Sequence, residues 1–203
     1  MIAIRRARPA DAPLIGAVHV AVWRSACPGI VPNDHLSQMS VTRLAADYDA
    51  AIMAGQGVFV LCASGEDVPL ASAGESGKQA SSILKRPRVI GFSTATRAAP
   101  GEPGEGEIGA LCILDDYRER GLGRRLIRAA ASHLRMLGCR SAYAWVLRDS
   151  PARWFHARLG GVAVAQGHIS LAGVTLEQDA FLWEPIEMLL RPGALRKEDQ
   201  DDT

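Results

Sequence analysis

The feature that most constrains this sequence is a short basic segment with two glycines, set between a strand pattern and a helix pattern. The segment reads Asp-Asp-Tyr-Arg-Glu-Arg-Gly-Leu-Gly and spans residues 115–123. A mostly apolar run, Glu107–Leu114, precedes it and predicts a strand, and apolar residues recur at helical spacing from Leu122 to Leu137. Glycine adopts backbone angles closed to other residues and carries no side chain to block a ligand. The sequence therefore predicts a strand, an open turn and a helix.

The start of this helix is suited to bind a phosphate or a pyrophosphate. The first amides of a helix lack carbonyl partners, and they lie at the positive end of the helix dipole. A dinucleotide fingerprint is excluded because position 126 is Leu where its third glycine belongs. A nucleotide-triphosphate loop is excluded because Arg124 and Arg125 follow Gly123, where that loop requires Lys and then Ser or Thr.

The order Arg118-x-x-Gly121-x-Gly123 resembles the pyrophosphate loop of the GCN5-related N-acetyltransferases, the GNAT family. That loop has the pattern Gln/Arg-x-x-Gly-x-Gly/Ala after the fourth strand. The resemblance implies that the chain binds acetyl-CoA as co-substrate, mainly through backbone amides of the loop. The cofactor-binding residues that it implies in the loop and the preceding strand are Leu111, Cys112, Ile113, Arg118, Glu119, Arg120, Gly121, Leu122, Gly123 and Arg124.

A second resemblance lies in residues 150–161. This segment is similar to the GNAT pattern Asn-x-x-Ala-x-x-Phe-Tyr-Glu-x-Leu-Gly, with Ser150 in the Asn place and His156 in the Tyr place. The resemblance implies that Ser150 and Arg153 contact the cofactor near its pantetheine or phosphate arm. It also implies that His156 protonates the departing thiolate, since an imidazole with an ordinary pKa of about 6.5 can donate at neutral pH.

The activity that the resemblance implies is acetyl or acyl transfer from CoA to a primary amine of a small molecule or peptide, by direct attack in a ternary complex. An alkylamine with a pKa near 10.4 is only about one part in a thousand neutral at pH 7, so a base must accept a proton. Glu107, at the start of the central strand, is the matched base, acting through a water. The alternative is that Glu107 is the exposed last residue of an acidic loop. A backbone amide near Leu111 to Ile113, at a bulge between diverging strands, is expected to stabilise the oxyanion.

The predicted order of elements is that of the GNAT family over about residues 2–190: a strand, two helices, three antiparallel strands, then helix, strand, helix and two strands. This implies a single α/β (α+β) domain over 1–191 with the GNAT acyl-CoA N-acyltransferase fold, a central mostly antiparallel mixed sheet flanked by helices. Residues 64–88 are rich in Gly, Ser, Ala and Lys and are expected to be a flexible insertion. Residues 192–203 are expected to be a disordered tail. The first helix is predicted to turn Leu14, Ile15, Val18 and Val22 inward, and Tyr143 is expected in the core.

Charge and cysteine usage exclude several other classes. With 23 basic and 22 acidic residues, the net charge of +1 does not favour nucleic acid as a partner. The four cysteines show neither zinc spacing nor a disulfide framework, so no metal is expected. No signal peptide is visible and no apolar run reaches the roughly 18 residues that span a bilayer, which predicts a cytoplasmic protein without a membrane partner. A homodimer fits the family. A non-catalytic acyl-CoA-binding module remains open as the alternative function.

Overall fold

The computed structural model describes residues 1–64 and 88–191, so the expectations for the segment 64–88 and for the tail 192–203 lie almost entirely outside the described residues. The strands are β1 (Ile2–Arg6), β2 (Gly57–Ala63), β3 (Arg88–Arg97), β4 (Gly106–Ile113), β5 (Ala142–Leu147), β6 (Val162–Leu171) and β7 (Val174–Trp183). The helices are α1 (Ala12–Ala26), α2 (Asn33–Gln38), α3 (Val41–Met53), α4 (Leu122–Met136), α5 (Ala152–Arg158) and α6 (Glu187–Leu190). The predicted order of elements is confirmed, with α2 as an addition that the Pro-rich segment before it had concealed.

The described strands form one sheet in the order β1-β2-β3-β4-β5-β7-β6. Every neighbouring pair is antiparallel except β4 and β5, which run parallel. Among the described residues, these two strands pair only where Gly106 faces Ala142 and Glu107 faces Tyr143. Beyond that point they diverge toward their carboxyl ends, which opens a cleft in the middle of the sheet. The mostly antiparallel mixed sheet is therefore as predicted.

Apolar side chains cover both faces of the sheet. On one face, α1 places Ile15, Val18 and Val22 against β2, β3 and β4. On the other face, α4 places Leu126, Ile127, Ala130 and Leu134 against the centre of the sheet. This two-sided burial is the expected consequence of one apolar stripe per helix.

One predicted core residue of α1 lies on the outside. Leu14 is 45% exposed, whereas Ile15 is fully buried. The buried stripe follows Ile15, Val18 and Val22 at spacings of three and four, and Leu14 falls beside that stripe rather than on it. The prediction for Leu14 was therefore wrong.

A bulge interrupts β4 next to the cleft. Ser93 faces Leu111 and Ala95 faces Ile108, so β4 has one residue more than β3 between these two pairs. The extra residue falls at Gly109–Ala110, and the Thr94 hydroxyl accepts the Ala110 N–H at 2.7 Å. A bulge was predicted near Leu111 to Ile113, and the one observed lies at Gly109–Ala110, where β4 pairs with β3.

The last two strands form the predicted hairpin. Its tight turn is Ala172–Gly173, where both residues have positive φ. No helix within 1–64 or 88–191 is long and apolar enough to cross a membrane.

Candidate functional site

The cleft between β4 and β5 exposes backbone groups of β4. The Leu114 N–H donates to the Ile90 carbonyl at 2.9 Å, so this pair belongs to the hydrogen-bonded positions of the antiparallel ladder with β3. Such positions alternate along a strand. Cys112 therefore also bonds toward β3, whereas the backbone groups of Leu111 and Ile113 point the other way, into the cleft. The Arg118 Nε, which donates to the Ile113 carbonyl at 3.2 Å, approaches from that side.

This geometry separates the three β4 residues that were predicted to bind the cofactor. Leu111 and Ile113 can offer amides to a group in the cleft, but Cys112 cannot. The Cys112 side chain is also buried, on the face of the sheet that α1 covers. The prediction for Cys112 is corrected on this ground.

The loop after β4 is held in shape by its own arginines. Asp115–Tyr117 forms a short 3-10 turn whose tyrosine ring is buried. Arg118 pairs with the Asp115 carboxylate at 2.9 Å, and the Arg120 guanidinium lies 5.5 Å from the centre of the Tyr117 ring. Both side chains thus have partners within the loop and help to hold its shape.

The start of α4 presents uncapped amides. Gly121 is the N-cap residue with φ 70° and ψ 5°, and no side chain in the described part of the chain caps this end of the helix. Glu119 also has a positive φ, 61°, a conformation that costs a non-glycine residue about 1 kcal/mol. The first-turn amides of Leu122, Gly123 and Arg124 have no intrahelical acceptor, so they are free to bind an anion.

More positive charge surrounds this helix start. A shallow depression beside it is lined by Gly121, Arg124, Arg125, Arg128 and Arg191. Arg125 is partly committed, because it donates to the Ile2 carbonyl at 3.2 Å. The loop and the first turn of α4 together form a site for a polyanion.

The second glycine of the motif has a role that the sequence did not indicate. A Cβ on Gly123 would lie 3.0 Å from Cζ of Phe155 and 3.2 Å from its Cε2. The missing side chain thus makes room for an aromatic ring of α5 and not for a ligand. Gly121 has open space around its Cα, and its need for glycine is conformational.

Ser150 and Arg153 make their contacts with residues around α5 and β7. The Ser150 hydroxyl accepts the Ala152 N–H at 3.2 Å at the start of α5. Arg153 donates to the Arg148 carbonyl at 3.5 Å and lies 3.6 Å from the Asp179 carboxylate on β7. Both side chains thus have partners in β5, α5 and β7, while α5 itself adjoins the loop at 115–123 through the contact of Phe155 with Gly123. Counting back seven positions from His156 also puts the Asn place of the family pattern on Asp149, one residue before Ser150.

His156 lies in an aromatic core. Its side chain is 6% exposed, and its ring centre lies 5.3 Å from Phe155, 5.9 Å from Phe181 and 5.6 Å from Trp183. Among the described residues Nδ1 has no hydrogen-bond partner. Burial lowers the pKa of His156 to about 4, so the ring is neutral at pH 7. Burial thus works against the ordinary pKa that the acid role assumes, and the acid role of His156 stays a prediction.

Glu107 sits at the closed end of the cleft, where the pairing of β4 with β5 stops. Its side chain is half-buried, so it is not the exposed end of a loop. Burial raises the pKa of Glu107, the neighbouring Tyr143 hydroxyl opposes this shift, and the charge of Glu102 adds to it. A carboxyl group in this position can accept a proton from a reactant in the cleft.

Three residues beside Glu107 were missed as site residues. Tyr143 is buried as predicted, and burial together with the nearby Glu107 and Glu102 carboxylates raises the pKa of its hydroxyl. The Trp145 Nε1 donates to the Glu102 carboxylate at 3.4 Å. The signal in the sequence was the alternation of β5, which puts Tyr143 and Trp145 on one face.

The loop that carries Glu102 is fixed at its far end. The Glu105 carboxylate accepts the Arg140 backbone N–H at 2.7 Å and its guanidinium at 3.0 Å. The Glu105 N–H in turn donates to the Ser141 hydroxyl at 3.0 Å. Glu102 is thereby held over the start of β5. No group of three or more His, Cys, Asp or Glu side chains within residues 1–64 and 88–191 could hold a metal ion.

Comparisons with known proteins bear on the same part of the chain. The family model described as FR47-like protein matches residues 98–168, which include the Glu102 loop, the cleft and α5. A protein of Bacillus subtilis (strain 168), named uncharacterized N-acetyltransferase YuaI, is 25% identical over 190 residues, covering 93% of this chain and 96% of that protein.

Solved structures share the whole architecture. The GCN5-related N-acetyltransferase from Rhodopseudomonas palustris superposes with a TM-score of 0.58 at 20% identity, covering 90% of this chain and 94% of that one. The yncA protein of Salmonella typhimurium, solved with its cofactor acetyl-CoA, superposes with a TM-score of 0.59 at 19% identity, covering 95% and 96%. At these identities the likeness concerns the fold.

Proposed function

We propose that this chain, which has the GNAT fold and resembles GNAT proteins along nearly its whole sequence, transfers an acetyl group from acetyl-CoA to a primary amine. The fold expected from the sequence is confirmed. The observation that carries the proposal is the short pairing of β4 with β5, which opens a cleft with Glu107 at its closed end and two outward amides along its wall.

The residues present fit acetyl-CoA. The uncapped amides at the start of α4 suit its diphosphate, and Arg124 and Arg128 add charge for the remaining phosphate. The acetylated pantetheine arm would lie in the cleft, where the N–H groups of Leu111 and Ile113 replace the hydrogen bonds that a neighbouring strand would supply. Acetyl-CoA brings the activated thioester, and the chain binds and orients it.

Glu107 accepts a proton from the acceptor amine, directly or through a water. A positioned base typically contributes about 10²–10⁴ in rate. The raised pKa of Glu107 favours this role, because a more basic carboxylate takes the proton more readily. The amide of Leu111 or Ile113 stabilises the negative charge that develops on the thioester oxygen.

The departing thiolate does not require His156. An ordinary thiol has a pKa of about 8.5, so a thiolate is a stable enough leaving group to take its proton from water. The burial of His156 among aromatic rings gives it a packing role in this scheme.

The acceptor is proposed to be cationic in solution. Two carboxylates, Glu102 and Glu107, lie at the same end of the cleft beside the Trp145 indole. Carboxylates attract ammonium groups, and an aromatic face adds a cation–π contribution. A small-molecule amine or an amino group of a peptide fits this description.

Two measurements test the proposal together. Isothermal titration calorimetry with acetyl-CoA tests the cofactor site, and release of free CoA thiol in the presence of a panel of amines tests transfer. Binding with amine-dependent thiol release is expected. If acetyl-CoA gives no binding heat, or binds without turnover on any amine, acetyl transfer is refuted.

The second candidate is an acyl-CoA-binding module without catalysis. The observation that favours it is the neutral, buried His156 at the position where many GNAT enzymes carry a tyrosine acid. This candidate predicts acetyl-CoA binding that no amine converts into thiol release.

We also propose that the protein is cytoplasmic and forms a homodimer. The four cysteines, Cys27, Cys62, Cys112 and Cys139, are free thiols, which suits a reducing compartment. Size-exclusion chromatography with light scattering measures the oligomeric state, and a mass of one chain would refute the homodimer.

A further inference from the structure

We propose that Arg191, together with Arg128, binds the 3′-phosphate of CoA, and that the chain thereby selects CoA over its 3′-dephospho form. Arg191 follows α6 and belongs to neither of the two segments that resemble the GNAT patterns. The inference rests on the proposed function, in which the first-turn amides of α4 bind the diphosphate of the same molecule. It extends that site to a residue far away in the sequence.

Contacts of α6 with α4 fix the position of Arg191. Leu189 is 4% exposed and shares a buried cluster with Leu134 of α4. The Glu187 carboxylate pairs with Arg135, also on α4, at 3.2 Å. These two contacts hold α6 against the last turns of α4. Arg191, the C-cap residue of α6, is therefore kept beside α4.

Arg191 and the first half of α4 enclose the shallow depression described above, which has a volume of about 90 Å³. Its lining consists of Gly121 and four arginines, and among the described residues no carboxylate belongs to it. Gly121 is the N-cap residue of α4, so the depression adjoins the uncapped amides. In CoA one ribose separates the 3′-phosphate from the diphosphate. A diphosphate on these amides therefore brings the 3′-phosphate within reach of the depression.

The arginines of the depression repel one another unless an anion lies between them. Arg124 and Arg128 are about 6 Å apart along the axis of α4, and like charges at this spacing destabilise a helix. Arg191 adds a third charge from a different element. Glu187, the acidic residue of α6, is paired with Arg135 and does not neutralise Arg191. A phosphate with two negative charges offsets this repulsion, so the arrangement points to a bound polyanion.

Residue type and position divide the phosphates of CoA between the arginines. A guanidinium group donates two parallel N–H bonds to two phosphate oxygens, which suits a terminal phosphate. Arg124 lies in the first turn of α4, beside the amides that bind the diphosphate. Arg128 lies one turn farther along and lines the same depression as Arg191. The 3′-phosphate thus falls to Arg128 and Arg191.

The test compares CoA with 3′-dephospho-CoA by isothermal titration calorimetry, and the quantity measured is the ratio of the two Kd values. We expect the wild type to bind CoA at least about fivefold more tightly, since an exposed ion pair contributes up to about a factor of five. Arg191→Gln and Arg128→Gln should each weaken the binding of CoA by about that factor and leave the binding of 3′-dephospho-CoA unchanged. Added salt should lower the ratio in the wild type, because it screens exposed charges.

Arg43→Gln is the matched control, because it removes one positive charge from an exposed position on α3, which packs on α1 at the opposite face of the sheet. It should keep the wild-type ratio. Equal affinity of the wild type for the two ligands, or an Arg191→Gln variant that binds both less tightly by the same factor, would overturn the inference and leave the proposed function standing. The titration needs no amine, so a failure of acetyl transfer would leave the ratio as it is. If neither ligand binds, the inference and the proposed function both fail.

Discussion

Glu107 is the side chain that we propose accepts the proton from the amine. It is half-buried at the closed end of the cleft, and burial raises its pKa above the ordinary value of 4.5. A base must be ionised to accept a proton. Transfer should therefore fall as the pH drops through a value above 4.5, and kcat/KM measured against pH shows where this limb lies.

Replacing Glu107 should change the rate of acetyl transfer without changing the binding of acetyl-CoA. We expect Glu107→Gln to lower kcat/KM by about 10²–10⁴, because an amide cannot accept the proton. The affinity for acetyl-CoA should not change, since the amides that bind the diphosphate lie at the other end of the site. Glu187→Gln, on α6 and paired with Arg135, is the matched control and should retain full activity. A Glu107→Gln enzyme with full activity would remove this residue from the mechanism.

Sequence reasoning reached some site residues and not others for a physical reason. Glu107 and Gly121 belong to one continuous segment, and the order of residues alone makes their roles visible. Tyr143 and Glu102 become neighbours only when β5 pairs with β4, and nothing local marks that pairing. For His156 the pattern gave the position, while its pKa depends on burial among aromatic rings of β7, which no local pattern marks.

In the strand–loop–helix element, two residues in the left-handed conformation, Glu119 and Gly121, shape the loop that we propose binds the polyanion. Gly121 has a φ of 70° and open space around its Cα, so an added methyl group would meet no atom but would strain the backbone. A left-handed conformation costs an L-residue about 1–2 kcal/mol. The strain would be relieved by moving the loop, and the first-turn amides of α4 would move with it.

Gly121→Ala is therefore expected to lower both the free energy of unfolding, by about 1 kcal/mol, and the affinity for acetyl-CoA. Gly173→Ala is the matched control, because Gly173 has a φ of 79°, equally open surroundings and a place in the β6–β7 turn. It should lose the same stability and keep its affinity. Urea denaturation and calorimetry measure the two quantities. Equal loss of affinity in both variants would mean that the loop conformation does not set binding.

The sequence patterns were sufficient to predict the bounds of β4 and the start of α4. The predicted strand at 107–114 and the helix that begins at Leu122 lie within one residue of β4 and α4, because a glycine turn separates two different periodicities. The exact bulge in β4 was not predictable, since it depends on the register with β3 and on the Thr94 hydroxyl. The outward position of Leu14 depends on the angle at which α1 lies on the sheet.

Helices cover both faces of the sheet in the molecule as a whole. As a consequence, each face carries a histidine whose pKa is lowered by burial. His19, a residue of α1, has its Nδ1 2.8 Å from the Tyr48 hydroxyl, and burial lowers its pKa to about 4. His156, a residue of α5, packs against the other face, and burial lowers its pKa to about 4 as well. Protonation of either ring places a charge where packing excludes water.

This arrangement predicts that acid weakens the fold well above the range where carboxylates titrate. The unfolded chain binds protons to these histidines below about pH 6.5 and the folded chain does not until about pH 4, so stability falls as the pH drops through that window. Between pH 7 and pH 5 each histidine should cost at most about 2 kcal/mol, and His133, whose pKa burial also lowers, acts in the same direction. Asp11 does not contribute here, since its hydrogen bond with Arg5 lowers its pKa below 3.8.

Urea denaturation at pH 7 and pH 5 measures this loss directly. His156→Phe keeps an aromatic ring in the core and should abolish the share that His156 contributes, so the variant loses less stability between the two pH values than the wild type does. His168→Gln, an exposed position on β6, is the matched control and should leave the loss unchanged. If His156→Phe and the wild type lose the same stability, His156 does not resist protonation in the folded chain. The aromatic cluster between α5 and β7 would then have to admit water or a counter-charge.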